Sequence, residues 1–477
     1  MGPNIWQPVI GLEIHAQLKT KSKIFSPESA EYGSGDNENV GPVSLGLPGA
    51  LPVLNKEVIQ LASRAGLALN CQVQGTSQFA RKNYFYPDMP KGYQITQYDK
   101  PICKNGWLEF FVDADLRKVR IERIHLEEDA GKSIHYGDHT LLNFNRAGVP
   151  LIEIVSQPDI RSPSEAAEYS RAIRQILRYI NVCDGNLEEG SLRVDCNVSV
   201  HRPGEPLGTK VELKNLNSFR FIEKAVEYEI QRQIDRLESG QGIVQETRLY
   251  DAVKNMTFTM RLKEDAEDYR YFPDPDLLAC EVSEAFLNDV RNQLPELPMT
   301  RVRRYVEQIQ ISREDALALT SEKELADYFE SVARISNDWR SAANWVRTEY
   351  WGEIQNRNLS FGHKDAVSAE FLGELIEMIN KGVITGKMAK AVFQKLWEGK
   401  ASPKDIVRRE GLSVVSDQLL IESIVKGVVE KNPDQVAQFR AGKSKVLGFF
   451  VGQIMKETNG QANPDIVNAI LKKYLEE

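Results

Sequence analysis

Cysteine is scarce in this chain: five residues in 477, far apart, odd in number and with no CxxC pair among them. That excludes a zinc ribbon, a dithiol redox motif and a disulfide-stapled scaffold, and it fits a reducing compartment. Long apolar runs are missing too. None approaches the roughly 20 residues a membrane span needs, and the N-terminus lacks the basic-then-apolar layout of a secretory signal. A soluble, cytoplasmic protein without a membrane partner is the expectation. Excess positive charge is also absent: 60 Lys and Arg stand against 68 Asp and Glu, a net charge of −8. A surface built throughout to coat nucleic acid is excluded, so any such contact must be local. Internal repeats and low-complexity tracts do not occur.

What is present is a globular composition, 42% hydrophobic, in a chain long enough for roughly two to four domains. Up to about residue 290, period-two alternation marks strands at 9–18, 119–126, 151–155, 191–201 and 209–214. Strands adjoin strands as often as helices, which predicts an α+β domain with largely antiparallel pairing. Two helices are well signalled there. One opens at Ser162-Pro163 with Glu165 completing a capping box; the other carries Ile222, Val226, Ile230, Ile234 and Leu237 on one stripe, with Gly240 beyond its end. Pro273, Pro275, Pro295 and Pro298 bracket a change of pattern, and a boundary near 293 follows. Beyond it the reading is helical, including a capping box at Ser321 and Glu324. The predicted division is 1–293 for the α+β domain, 294–403 for an all-α domain and 404–477 for a small helical tail.

Several strands carry chemistry on one face. In "VIGLEIHAQL", Ile10, Leu12, Ile14 and Ala16 share one side, leaving Glu13, His15 and Gln17 on the other. "SLRVDCNVSVH" likewise leaves Arg193, Asp195, Asn197 and Ser199 opposite its apolar side, and Glu212 shares a face with Lys210 and Lys214. The ordinary reading of each is a solvated outer face. "LIEIV" resists it, because Glu153 shares its face with Leu151 and Val155, and a carboxylate in an apolar run must be neutralised, paired or metal-bound. If Glu13, Glu153, Asp195 and Glu212 met in one cleft, each like-charged pair ~4 Å apart would repel by about 4 kcal/mol at an effective dielectric near 20. A divalent ion or cationic side chains would have to hold them, and oxygen ligands with one imidazole suit Mg²⁺ or Mn²⁺.

Residues 124–135, "IHLEEDAGKSIH", add Glu127, Glu128 and Asp129 beside a segment resembling the end of a P-loop. The required first glycine falls at Leu126, so that motif fails. Gly131, Lys132 and Ser133 remain either a small phosphate nest or an ordinary turn. His125, His135 and His139 match no common zinc framework and read as solvated. The segment 79–98 interleaves Phe79, Tyr84, Phe85, Tyr86, Tyr93 and Tyr98 with Arg81, Lys82 and Lys91, a composition that suits either gripping a base or loop packing. By residues alone, this is a divalent-metal, phosphate-handling site in an α+β domain with a helical attachment.

The blocks "VIGLEIHAQLKTKSKIF", "LGLPGALPVLN", "ARKNYFYPDMPKGYQITQY", "HLEEDAGKS", "NRAGVPLIEIVSQPDIRSPSEA", "EEGSLRVDCNVSV", "TKVELKNLNSFRFIEKA" and "DYRYFPDPDLL" together resemble the B subunits of the bacterial aspartyl/glutamyl-tRNA(Asn/Gln) amidotransferases. The resemblance runs on to "VLGFFVGQIMK" and "ANPDIVNAILKKYL" and covers nearly the whole chain. It implies an ATP- and Mg²⁺-dependent carbon–nitrogen ligase with glutamine as amide donor. Such an enzyme phosphorylates the side-chain carboxylate of misacylated Glu-tRNA(Gln), Asp-tRNA(Asn) or both, after which ammonia from a partner amidase displaces phosphate; a small third partner makes the complex a heterotrimer. On that basis Glu13, His15, Glu128, Glu153 and Glu212 form the metal site, with Asp195 and Glu127 as neighbours, and Glu128 and Glu13 take part in catalysis. Arg193, Lys210 and Lys214 face the phosphates with Lys132 and Ser133 as helpers, and Arg440, Lys443 and Lys445 of the tail meet tRNA.

Many members of that family carry four zinc-binding cysteines before "LGLPG". The matching positions here are Ser26, Glu28, Gly41 and Ser44, so no structural zinc is expected and the loop must be held otherwise. Two rivals remain: a non-catalytic tRNA-binding scaffold, and a metal-dependent hydrolase that attacks with water and needs no amidase.

Overall fold

The computed structural model describes residues 6–262, 268–399, 401–412, 418–440, 443, 446–458, 462 and 464–476. They fall into two compact units, Met1–Thr300 and Arg301–Glu477.

The first unit is built on a nine-stranded sheet. Its order is β14 (Met256–Leu262), β13 (Glu246–Asp251), β12 (Val211–Lys214), β11 (Leu192–His201), β1 (Gln7–Gln17), β10 (Pro150–Ser156), β7 (Asp115–Glu128), β6 (Cys103–Val112) and β2 (Gln72–Val73). A three-stranded sheet joins β15 (Phe272–Pro273), β4 (Phe79–Asn83) and β5 (Tyr93–Gln97). Two hairpin-like pairs complete the set: β16 (Cys280–Glu281) with β3 (Thr76–Ser77), and β8 (Lys132–Tyr136) with β9 (His139–Asn143). Neighbours in the large sheet run antiparallel except β12 and β13. A parallel pair needs a crossover, and the helix Phe219–Glu238 supplies it.

Alternation fixes which side of the sheet is dry. Ile10, Leu12, Ile14 and Ala16 of β1, Ile152 and Ile154 of β10, Ile124 and Leu126 of β7, and Val194, Cys196 and Val198 of β11 all enter one core. Residues of the helices Lys56–Ala68, Pro163–Tyr179 and Phe219–Glu238 belong to the same core. The expected cap at Ser162 forms, its Oγ accepting from Glu165 N at 3.1 Å, and Ser218 Oγ caps the second helix by accepting from Phe221 N at 3.1 Å. The Glu165 carboxylate reaches back to Arg161 N at 2.6 Å, one residue before the cap, so the box is shifted rather than reciprocal. With the apolar side covered by helices, the opposite side of the sheet is left for polar work.

Leu294 and Leu297 still pack on this core, which keeps the chain in the first unit beyond 293. In the second unit the described elements are helical. Helix Lys323–Ser336 buries Leu325, Phe329 and Val332, but it starts with Glu322 as an N-cap without a side-chain bond, so the Ser321–Glu324 box does not form. Helix Pro403–Arg409 packs on Ala369–Asn380 and Gly386–Leu396, whereas Ile421, Val425, Phe450, Ile454, Leu471 and Leu475 form a separate apolar cluster.

Candidate active site

The polar side of the sheet floors a cleft of about 1070 Å³. Register brings its side chains together across strands distant in sequence: Glu13 lies opposite Asp195, His15 opposite Arg193 on one side and Glu153 on the other, and Glu153 opposite His125. Directly opposed positions of an antiparallel pair stand within side-chain reach. Two triads result.

In the first, His15, Glu127 and Glu153 each offer one ligand atom, all within 4.8 Å of one another. His15 Nε2 lies 3.4 Å from Glu153 Oε2 and 3.6 Å from Glu127 Oε1, and His125 Nε2 lies 3.1 Å from the same Glu153 oxygen. Burial alone would lift the Glu153 carboxyl, but His125 and His15 hold it well below the ordinary range. The same carboxylates overcome the effect of burial on His15 and push its imidazolium up to about 9. Glu127 is raised, mainly by burial. Here Glu153 meets its demand for a partner.

Glu13, Asp195 and Glu212 form the second triad, again with ligand atoms within 4.8 Å. Burial and then the Glu153, Glu212 and Asp195 carboxylates raise Glu13. Lys214 Nζ bridges Asp195 at 2.5 Å and Glu212 at 3.0 Å, Thr247 Oγ1 donates to Glu212 at 2.7 Å, and Asn197 Nδ2 donates to Glu13 at 2.9 Å. Burial opposes the Lys214 charge, yet these carboxylates raise it above an ordinary lysine. Two carboxylates with one imidazole in the first triad and three carboxylates in the second, crowded enough to repel, fit a Mg²⁺-like ion in each.

Arg193 also lines the cleft, held by Asp129, which accepts from its Nη2 at 2.8 Å and from Gln17 Nε2 at 2.9 Å. Burial would raise Asp129, but Arg193 and Arg146 hold it below the usual value. Asp129 thus sets the direction in which a cation faces the cleft.

Other expected site residues do not gather here. Glu128 points to the opposite side of β7, where Lys91 pairs with its carboxylate and Ile95 N donates at 2.8 Å. Adjacent strand residues face opposite ways, so Glu127 and Glu128 cannot both reach the cleft. Lys132 and Ser133 sit on the β8–β9 hairpin, outside the cleft lining, and the Gly131 N–H is already bonded to Asp88 O at 2.9 Å. That geometry is the start of a paired strand, neither a turn nor a phosphate nest. Lys210 precedes β12, is exposed and stays outside the lining. In the tail, Arg440 Nε donates to Leu475 O at 3.2 Å and Lys443 is exposed, while Lys445 lies outside the described residues.

His125 is the main residue that sequence reasoning misjudged. It is 6% exposed and bonded to Glu153 rather than solvated, whereas His135 and His139 are indeed exposed. Its place two residues before Glu127 repeats the Glu13–His15 spacing and was the available signal. Lys82, Arg261 and Tyr271 also line the cleft from segments with no alternation to mark them.

Residues 8–288 match the GatB/GatE catalytic domain, and residues 327–475 match the GatB domain. The B subunit of the aspartyl/glutamyl-tRNA(Asn/Gln) amidotransferase of Bdellovibrio bacteriovorus is 54% identical over 98% of this chain and 99% of its own length. The chain belongs to this B-subunit family. Its counterpart in Prosthecochloris aestuarii is 52% identical over 99% of this chain and 98% of its own, and that in Solidesulfovibrio magneticus is 51% identical over 98% and 99%. All six triad residues fall inside the matched catalytic domain of this B-family chain.

The loop expected to lack zinc is organised around a buried ammonium. Lys23 Nζ donates to Asn39 O at 2.5 Å, with Ser44 Oγ and Phe144 O each at 3.4 Å. Burial lowers Lys23 to about 8 despite the nearby Glu28 carboxylate. A Cβ at Gly41 would meet the Glu28 carboxylate, so a larger residue there would have to turn that side chain aside.

Proposed function

We propose that this chain activates the side-chain carboxylate of Glu-tRNA(Gln), Asp-tRNA(Asn) or both by phosphorylation, within a complex containing an amidase and a small third subunit. The observation that carries this reading is the pair of carboxylate triads on one sheet face, flanked by Lys214 and Arg193. A carboxylate is a poor electrophile. Attack of its oxygen on the γ-phosphorus of ATP releases ADP and leaves an acyl phosphate; ammonia then adds at the carbonyl carbon and phosphate departs as the amide forms.

His15, Glu127 and Glu153 would hold one divalent ion and Glu13, Asp195 and Glu212 a second. Bound there, such ions supply charge neutralisation for a triphosphate and its transferring group. The chain's own contribution is positioning. Arg193, aimed by Asp129, and Lys214, fixed between Asp195 and Glu212, present cations before any substrate arrives, so little reorganisation is left for the reaction. The tail beyond residue 412 is assigned to the tRNA body, and the Lys23-centred loop is assigned a zinc-free structure.

The test is the co-purified heterotrimer with γ-labelled ATP, Mg²⁺, glutamine and each misacylated tRNA. ATP- and glutamine-dependent amide formation, lost on chelation, is expected. A scaffold would bind tRNA without ADP release, and a hydrolase would turn over without glutamine or ammonia. Elemental analysis showing about one tightly held zinc per chain would overturn the zinc-free assignment.

A further inference from the structure

One aromatic group in the cleft has no part in holding ions. The rings of Tyr98 and Tyr271 stack in parallel, 4.3 Å between centroids and 6° between planes. Tyr98 is the outer member, 55% exposed, whereas Tyr271 is half-buried. Beneath them the support is continuous. Tyr269 meets Tyr271 edge-on at 6.1 Å and Tyr84 at 6.5 Å, and Lys82 Nζ lies 4.7 Å from the centre of the Tyr269 ring. The 269–271 segment is tied to β4 by Asn83 N to Tyr269 O at 2.9 Å and Asn83 Nδ2 to Arg270 O at 2.9 Å. Tyr98 and Tyr271 both line the cleft that holds the triads, with Lys82, Lys104 and Arg123 beside them. Glu153 and Glu127 are near enough to help raise the Tyr271 phenol, after burial.

If this stack only packed a loop, its outer ring would gain nothing from standing open. An exposed ring fixed from behind, next to cations and carboxylates suited to phosphate, is the arrangement that receives a nucleobase, because the aromatic surface is ordered before the ligand arrives. We propose that the Tyr98–Tyr271 stack is a platform for an adenine ring. Two nucleotides present adenine to this cleft if the proposed function holds: ATP, and the 3′-terminal adenosine of the tRNA acceptor end.

Fluorescence separates the sources. The heterotrimer is titrated with 2-aminopurine riboside triphosphate and, separately, with tRNA carrying 2-aminopurine at its 3′ terminus. One probe is expected to be quenched by wild type and by Tyr98→Phe, which keeps the ring. With Tyr98→Ala the quench is lost and that probe binds about five- to a hundredfold more weakly, roughly the worth of one aromatic stack. The probe whose affinity moves identifies the source. Tyr98→Leu, which keeps apolar packing without a π-face, reports the same loss should the alanine variant misfold. Quenching of neither probe by wild type, or unchanged quench and affinity in folded Tyr98→Ala or Tyr98→Leu, overturns the platform. Binding is read without turnover, so a wild-type complex that quenches a probe yet makes no ADP sinks the proposed reaction and leaves the platform standing.

Discussion

At the scale of single residues, two buried charges make predictions in separate pH windows. Asp129 has its carboxyl held low by Arg193 and Arg146. Its contribution to stability is fully present above the unfolded value and is lost as pH falls through the lower folded one. Asp129→Asn should cost about 1.5–3 kcal/mol at pH 7, the range for a hydrogen bond to a charged group, and that deficit should shrink in acid. Denaturant melts at pH 7 and pH 3 check it; an equal deficit at both would refute the pairing. For Lys23 it is the charged form that the fold disfavours, and the window is alkaline. Its amine falls from 10.5 to about 8 on folding, so between those values the unfolded chain binds a proton that the folded chain has shed. Stability relative to Lys23→Met should therefore rise as pH goes from 8 to 10.5. A flat difference across that window would mean that the ammonium is not confined as its contacts to Asn39, Ser44 and Phe144 indicate.

At the scale of the strand, one step along β7 separates two roles. Glu127 shares the cleft face with Glu153, whereas Glu128 is buried against Lys91. Glu127→Gln should weaken Mn²⁺ binding, followed by electron paramagnetic resonance, by tenfold or more. Glu128→Gln should leave that binding within about twofold but lower stability by roughly 3–5 kcal/mol, since it strands a buried lysine. The reverse pattern would put the wrong face of β7 in the site. Much of this was legible beforehand, because period-two alternation marks both the apolar side of β1 and β11 and the polar residues left over. The isolated Glu153 among apolar neighbours announced a partner. What alternation within one strand does not state is register: that His15 meets Glu153 and Arg193, and that Glu153 meets His125, depends on pairings between strands far apart in sequence. The preference for Glu128 was an error of weighting, for the same alternation that places Glu13 with His15 places Glu127, and not Glu128, with His125.

For the whole molecule, the proposed division of labour puts chemistry in the first unit and capture of the tRNA body in the tail. Cutting at 404 would be a poor test. Ile406 is buried and its helix packs on Ala369–Asn380 and Gly386–Leu396, so removal from that point would expose their apolar surface. The apolar cluster of the tail is drawn entirely from residues 421–475, and deletion of 413–477 removes it whole. Single charge reversals are less informative, because Arg440 already serves the tail by bonding Leu475 O. The heterotrimer lacking 413–477 should bind tRNA at least several-fold more weakly while glutamine hydrolysis by the partner amidase persists. If the lost contacts are to phosphates, the deficit should be greatest near 50 mM salt and shrink toward 200 mM, because counterion release makes such contacts salt-sensitive over roughly that range. Filter-binding curves at both salt concentrations decide the matter: equal affinity of the truncated and full-length complexes at each would remove the tail from tRNA recognition.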